Sequence, residues 1–332
     1  MKTLRMIGMA LFAVLMCVNF ASCSSEEDVE PNEPKEYTVS LGFTGEISIS
    51  ETPLSRTIGN DIYGIQVYSC PISKESTTYN YTHYAYGTFD DLTKMSIKLV
   101  EGYKYKFVAS MVVDAKEKIG HSEEGSYYAP FDVRDGSSYI NNSFNYSNTS
   151  YFMHLETGTS NLLSEQKSFA RPNVDRYYGQ YIDYTPTENG KVNIEMLRVV
   201  HGLKIITENM TEGTLNIAME AAPEMNIIAP ETETNDIFTF LRLDEPYLIE
   251  DYSVNIPTTF TWTKADGAII PFGTHDITFK RNKRVIVTIK ISDISSDNTI
   301  GVTLENGEMT DENVTIENGE IVDTNVDTET EG

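Results

Sequence analysis

Tyr37-Thr-Val-Ser-Leu-Gly-Phe-Thr-Gly45 is the stretch that decides the fold. Tyr37, Val39, Leu41 and Phe43 fall on one side of an extended chain, and small polar residues fall on the other. That period of two predicts a half-buried β-strand. Ile47 and Ile49 resume the pattern after Thr44-Gly45, which reads as a kink or bulge. The same alternation recurs at Tyr103, Tyr105, Phe107, Ala109, Met111 and Val113, and again at Val285, Val287, Ile289 and Ile291. Further strands are predicted at 62–69, 95–100, 192–199, 202–207, 214–219, 236–243 and 252–256. Asp-Gly or Asn-Gly pairs at 135–136, 189–190, 266–267, 306–307 and 318–319 supply turns. No long segment has a convincing 3.6-residue period, and a short helix is expected only over 160–170. Short strands with frequent turns predict an all-β chain of antiparallel β-sandwiches.

The chain has 332 residues, enough for two domains at ~100–200 residues each. The segment 120–190 is rich in Tyr, Asn, Ser and Gly and reads as long loops with one or two strands. Pro186 and Asn189-Gly190 punctuate the chain, so the expected layout is a first domain over 37–190 and a second over 191–325. An acidic tail follows over 326–332. Residues 302–313 (VTLENGEMTDEN) and 314–325 (VTIENGEIVDTN) are a repeat, identical at eight of twelve positions.

A net charge of −25 repels phosphate backbones, which argues against nucleic-acid binding. Three cysteines and five histidines rule out a disulfide framework and disfavour a structural zinc site. Lys2 and Arg5 precede the apolar run 6–18, and Phe20-Ala21-Ser22-Cys23 follows. That order is a secretory signal peptide over 1–22, shorter than the ~20 apolar residues of a membrane span. Phe20-Ala21-Ser22-Cys23 resembles a bacterial lipobox with Phe in place of Leu. The resemblance implies that Cys23 carries lipid and becomes the first mature residue, held to the outer membrane by two acyl chains. Losing Lys2 and Arg5 leaves 23 basic against 50 acidic residues, a net −27. Residues 23–36 are acidic and contain two prolines, the composition of a tether. An acidic cluster behind a lipidated cysteine also resembles the surface-export signal of Bacteroidetes lipoproteins. Of the three cysteines only Cys70 then remains a thiol, and it reads as a small buried hydrophobe.

Catalytic patterns are missing. There is no His-Glu-x-x-His, Gly-x-Ser-x-Gly or phosphate-binding glycine loop. His121-Ser122-Glu123-Glu124 reads as an exposed turn. No pair among the 50 acidic residues is singled out for glycoside hydrolysis. The chain reads as a non-enzyme with no cofactor. Its 20 tyrosines offer apolar faces with hydroxyls for stacking on sugar rings. Tyr79, Tyr81, Tyr84 and Tyr86 form one candidate set, and Tyr177, Tyr178, Tyr181 and Tyr184 the other. Such platforms favour tryptophan, and the chain has only Trp262.

Several segments together resemble the fimbrillin-like lipoproteins of Bacteroidetes, the FimA/Mfa-type pilins. They are the lipoprotein start, Val39-Ser-Leu-Gly-Phe-Thr-Gly-Glu-Ile47 followed by Ser55-Arg56-Thr57, Asp61-Ile-Tyr-Gly-Ile-Gln-Val-Tyr68, and Met196-Leu-Arg-Val-Val-His-Gly-Leu-Lys-Ile205. The last departs from the family pattern at His201-Gly202-Leu203. The resemblance implies two transthyretin-like β-sandwich domains and a role as pilus stalk, tip or anchor subunit at the cell surface. It also implies proteolytic processing after Arg56, which would remove the first strand. The groove left would then accept a C-terminal strand of another fimbrillin-like subunit, here the repeat at 302–323. A surface glycan-binding lipoprotein of a nutrient-uptake system is the alternative reading.

Overall fold

The computed structural model describes residues 34–49, 60–72, 80–134, 139–147, 152–162, 167–291, 300–302, 310–313, 315–317 and 320–322. The chain divides into two compact units, Met1–Pro34 and Lys35–Gly332. Only Pro34 of the first is described, so the fold is that of the second. It is all-β, and its helices are short turns, α1 (Glu46–Ile49), α2 (Ala115–Lys118) and α3 (Asp244–Leu248).

The first half builds one eight-stranded sheet. Its strands are β1 (Glu36–Gly45), β2 (Ile62–Pro71), β3 (Thr82–Phe89), β4 (Ser96–Val100) and β5 (Tyr103–Val112). The chain then makes the short strands β6 (Asp132–Arg134), β7 (Phe144–Tyr146), β8 (Phe152–His154), β9 (Ser160–Leu162) and β10 (Lys167–Phe169). It returns through β11 (Arg176–Tyr184) and β12 (Lys191–Arg198), turning at Asn189-Gly190 with Asn189 at φ 56. The order across the sheet is β4-β1-β12-β11-β5-β2-β3-β7. Its two ends meet: the Lys98 N–H of β4 donates to Tyr146 Oη of β7 at 3.1 Å, and Tyr84 Oη of β3 donates to Lys98 O at 2.9 Å. The sheet therefore wraps around its own inner face. Val39, Leu41, Tyr63, Ile65, Ile97, Leu99, Phe107 and Ile194 fill that core.

The outer face is also covered. Val108, Val112 and Tyr178 point outward and pack under Ile119, Phe131, Met153 and Leu155 of the long connection. Burial on both faces leaves β2 without a solvated face, and Gln66 is buried with the rest of the strand. Gly64 permits the cover, because a Cβ there would stand 2.7 Å from the Phe131 ring. Arg176 is fully buried and pins the connection, donating to Thr157 O, Pro130 O and Ser160 Oγ at 2.8–2.9 Å. The helix expected over 160–170 is replaced by the antiparallel pair β9–β10, with Ser160 drawn inward to Pro130 and Arg176.

The chain changes sheets at Val199. β13 (Val200–Glu208), β14 (Thr214–Met219), β15 (Met225–Ile228), β16 (Glu233–Thr239), β17 (Ser253–Thr263), β18 (Ile269–Lys280) and β19 (Lys283–Lys290) form two sheets. One runs β16-β13-β19 and onward to β20 (Ile300–Val302), the other β15-β14-β17-β18. Leu203, Ile205, Phe238, Val285 and Val287 of the first face Leu215, Ile217, Phe260, Trp262 and Phe279 of the second. That is a two-sheet sandwich. Alternation along β17 is complete, with the odd-numbered positions outward.

Among the described residues the strand pairing is antiparallel apart from three contacts. β1 runs parallel to β12, and β13 runs parallel to β19. β19 also pairs in parallel with β21 (Thr310–Asn313). In the first parallel pair β1 lies between the end strand β4 and β12, whose direction is set by its hairpin with β11.

Candidate functional site

The feature that stands out is the seat of β1. It lies inside the sheet, hydrogen-bonded along both edges, antiparallel to β4 from Glu36↔Val100 to Ser40↔Ser96 and parallel to β12 from Ser40↔Lys191 to Gly45↔Met196. Glu101 N–H donates to Lys35 O at 2.8 Å, and Leu41 N–H to Met95 O at 2.9 Å. Val39 is fully buried and Leu41 nearly so, while Phe43 stacks on Tyr63 with ring centroids 5.5 Å apart. Burying such side chains is worth ~1.5–3 kcal/mol each. The strand thus supplies core and ladder together, as the sequence pattern requires. Gly45 closes it at φ +85, where a Cβ would stand 2.8 Å from Met196 O. Only a glycine makes that turn without strain.

Beyond Gly45 the chain enters a polar junction shared by both halves. Glu46 accepts from the Arg198 N–H at 2.7 Å and from Arg281 Nη1 at 3.0 and 3.1 Å. Arg281 Nη1 also donates to Arg198 O at 3.2 Å. Arg198 makes a two-pronged pair with Asp175 at 2.8 and 3.0 Å and donates to Asn282 Oδ1 at 3.1 Å. Burial opposes the Arg198 charge, but Asp175 outweighs it and holds the guanidinium above the usual arginine range. Glu46 follows β1, Asp175 precedes β11, Arg198 ends β12, and Arg281-Asn282 is the turn from β18 to β19. Next to this junction His201 is buried among Phe238, Phe240 and Phe279, and neither ring nitrogen has a hydrogen-bond partner. Burial, assisted by the Arg171 charge, pushes its pKa down to about 3.

The tyrosine sets do not make stacking rows. Tyr177 lies in the inner core and Tyr178 in the outer one, because adjacent strand residues face opposite ways. Tyr181 and Tyr184 remain toward the surface, edge to face at 6.0 Å. Burial removes the first two rings from any platform of four. Of the other set, Tyr86 is buried, Tyr84 is spent on Lys98 O, and Tyr81 donates to Asp183 Oδ1 at 2.6 Å. Tyr79, Cys23 and Arg56 lie outside the described residues. His121 bridges to Tyr127 in an exposed turn. Among the described residues no cluster of three or more His, Cys, Asp or Glu side chains could hold a metal ion, and no helix is long and apolar enough to cross a membrane. Cys70 is buried.

Sequence reasoning missed the junction. Glu46, Asp175, Arg198 and Arg281 look like ordinary surface charges, and they converge only through the sheet order. The departure at His201 was the single local signal near it.

No protein-family model and no curated protein matches the chain. Among solved structures, the chain is similar to the fimbrial anchor protein Mfa2 from Porphyromonas gingivalis at 10% identity, with a TM-score of 0.36, over 87% of this chain and 99% of that one. It is also similar to the tip fimbrial protein Mfa3 from the same organism with a C-terminal truncation, at 10% identity and a TM-score of 0.32, over 85% and 100%.

Proposed function

We propose that the protein is a surface-anchored structural or adhesive subunit of fimbrial type, assembled with other subunits by exchange of a β-strand. The observation that carries this is the position of β1. It is the first described strand, it enters from the N-terminal side, and its onward link to β2 passes through residues 50–59, which contain Arg56. Its loss would open two ladder edges and the pockets of Val39 and Leu41 at once. An opening of that kind is refilled best by another extended segment, which restores hydrogen bonds and apolar cover together. The donor in this reading is the repeat at 302–323 of another subunit. In this chain Ile300–Val302 and Thr310–Asn313 lie along β19 of their own sheet.

In this reading Cys23 carries the lipid and residues 24–36 are the tether. The two halves, meeting at Val199, act as two domains. Partners are other subunits of like fold and the outer membrane, and no chemistry is catalysed. A specific protease site placed within 50–59 tests the proposal. After cleavage, the protein is expected to form chains of copies on size-exclusion chromatography with light scattering, and removal of 300–332 is expected to stop it. A cleaved protein that remains a folded monomer would exclude exchange. Fatty-acid labelling that marks the wild type and not Cys23→Ser checks the anchor.

A further inference from the structure

The two ends of the first sheet meet different surroundings. At one end β1 runs into Glu46, β12 stops at Arg198, and the chain passes on to the second half. At the other end the chain comes in at Lys35. There β1, β3, β5 and β12 start, and β2, β4, β7 and β11 stop. The pairings Glu36↔Val100, Pro71↔Tyr103 and Tyr184↔Tyr105 keep these strand ends level, and Tyr105 Oη accepts from the Val100 N–H at 2.8 Å across the end. This entry end is where apolar side chains reach solvent. Among the described residues before Val199, four of the six strongly exposed large hydrophobics stand here: Ile72, Tyr146, Tyr181 and Ile182, at 40–53%, the other two being Leu92 and Tyr139. The two rings are held in place, Tyr146 edge to face on Tyr84 at 5.6 Å and Tyr181 on Tyr184 at 6.0 Å. In a chain of net charge −25, two carboxylates of this end are matched by lysines, Glu36 by Lys98 at 3.7 Å and Asp183 by Lys104 at 3.8 Å.

We infer that the entry end rests on the lipid bilayer that holds Cys23, with Ile72, Tyr146, Tyr181 and Ile182 in the headgroup layer. The inference rests on the lipid anchor proposed above and is independent of strand exchange. Reach is the first argument for a bilayer as the occupant. Eleven residues separate Cys23 from Lys35. Such a tether spans at most ~40 Å when fully extended, and a flexible chain of that length has a root-mean-square span of ~20 Å. It leaves from this end of the sheet, so lipid is the surface these side chains meet at high effective concentration. A contact too weak to form between free partners is then populated.

Chemistry is the second argument. Tyrosine places an apolar ring at the edge of the hydrocarbon and a hydroxyl in the wet headgroup region, which is why it collects at membrane interfaces. Ile72 and Ile182 add aliphatic surface that gains by leaving water. The lysine partners of Glu36 and Asp183 remove repulsion that unmatched carboxylates would meet at an anionic lipid surface. The second half is joined at the opposite end of the sheet, so this placement keeps it clear of the bilayer.

Cys70 is buried and Cys23 is consumed by lipid in this reading, so one added cysteine takes a dye alone. The uncleaved full-length lipoprotein is made with Ile182→Cys or, as the distant control, Ile269→Cys in the second half, where the side chain is 68% exposed. Each is labelled with an environment-sensitive dye and reconstituted on mixed phosphatidylcholine and phosphatidylglycerol vesicles. Flotation with the vesicles reads the anchor, and quenching by spin-labelled lipid reads the contact. Both chains are expected to float. The dye at position 182 is expected to shift to the blue and lose intensity to the quencher, and the dye at position 269 to do neither. Adding Ile72→Ser and Tyr181→Ser is expected to reduce quenching at position 182 with flotation unchanged. A chain that floats with position 182 unquenched overturns the bilayer contact and leaves the anchor standing. Equal quenching at both positions, or quenching at position 182 that survives the double substitution, overturns the assigned face. The comparison of the two dye positions holds whether or not the doubly substituted chain folds. A chain that does not float overturns the anchor reading, and this inference with it.

Discussion

The two halves solve the same burial problem differently. In the second, successive strands turn back on one another, as β14 does with β15 and β17 with β18, and two sheets close on one core. In the first, one sheet wraps around itself, a long connection seals its outer face, and the strand completing it comes from the chain's N-terminal side. A half built from local hairpins carries its own closure. A half completed by a strand held at one covalent end is stable only while that strand stays. The difference teaches where the proposed exchange would act: at the non-local strand β1, which completes the first sheet from outside its hairpins.

The largest expected effects test whether the halves are energetically separate. Phe279→Ala should cost ~3–5 kcal/mol and Leu41→Ala ~2–5 kcal/mol, because both side chains are buried in tight cores. Hydrogen exchange followed by mass spectrometry should then show lost protection confined to strands 200–290 for Phe279→Ala, and to the first sheet for Leu41→Ala. Equal loss throughout both halves in either variant would break the comparison and make Lys35–Gly332 one cooperative unit.

Much of this was legible in the sequence because strand periodicity is local. Tyr37–Phe43, Tyr103–Met111 and Val285–Ile291 alternate as written, and the strands follow. Thr82–Phe89 was less legible. Its tyrosines and His83 face both sides of a sheet covered on both, so no polar face marks the period. Parallel pairing of β1 with β12 was not legible, because register between segments 150 residues apart in sequence is set by the tertiary fold. The junction of Glu46, Arg198 and Arg281 was hidden for the same reason. The tyrosine sets divide because a run such as Tyr177-Tyr178 must send its rings to opposite faces.

A middle-sized effect sharpens the comparison through pH. His201 is held neutral in the second half's core, with its pKa pushed down by burial to about 3, against ~6.5 in an unfolded chain. The unfolded state therefore binds the extra proton first. The stability of neutral His201 is complete above about pH 6.5 and is lost as pH falls from there toward about 3, by up to ~1.4 kcal/mol per pH unit. Between pH 6.5 and 5 few carboxylates titrate. Denaturant midpoints of the second half should fall over this window in the wild type and stay level in His201→Phe or His201→Leu. A wild type as flat as the variants would mean that the ring is not buried neutral.

The smallest expected effect lies at the exposed end of the first strand. Lys98 contributes two different things there. Its backbone N–H and C=O tie the sheet ends together through Tyr146 and Tyr84. Its ammonium reaches Glu36 across solvent. Lys98→Ala keeps the first and removes the second, so it should change stability by under ~1 kcal/mol and by less still at high salt. Tyr84→Phe removes a backbone tie instead and should cost ~0.5–1.5 kcal/mol without salt dependence. If Lys98→Ala proved the more damaging, the exposed end would be an electrostatic anchor like the Glu46 end. The two ends of β1 would then be held alike, and the contrast between a screened ion pair and a partly buried one would be lost.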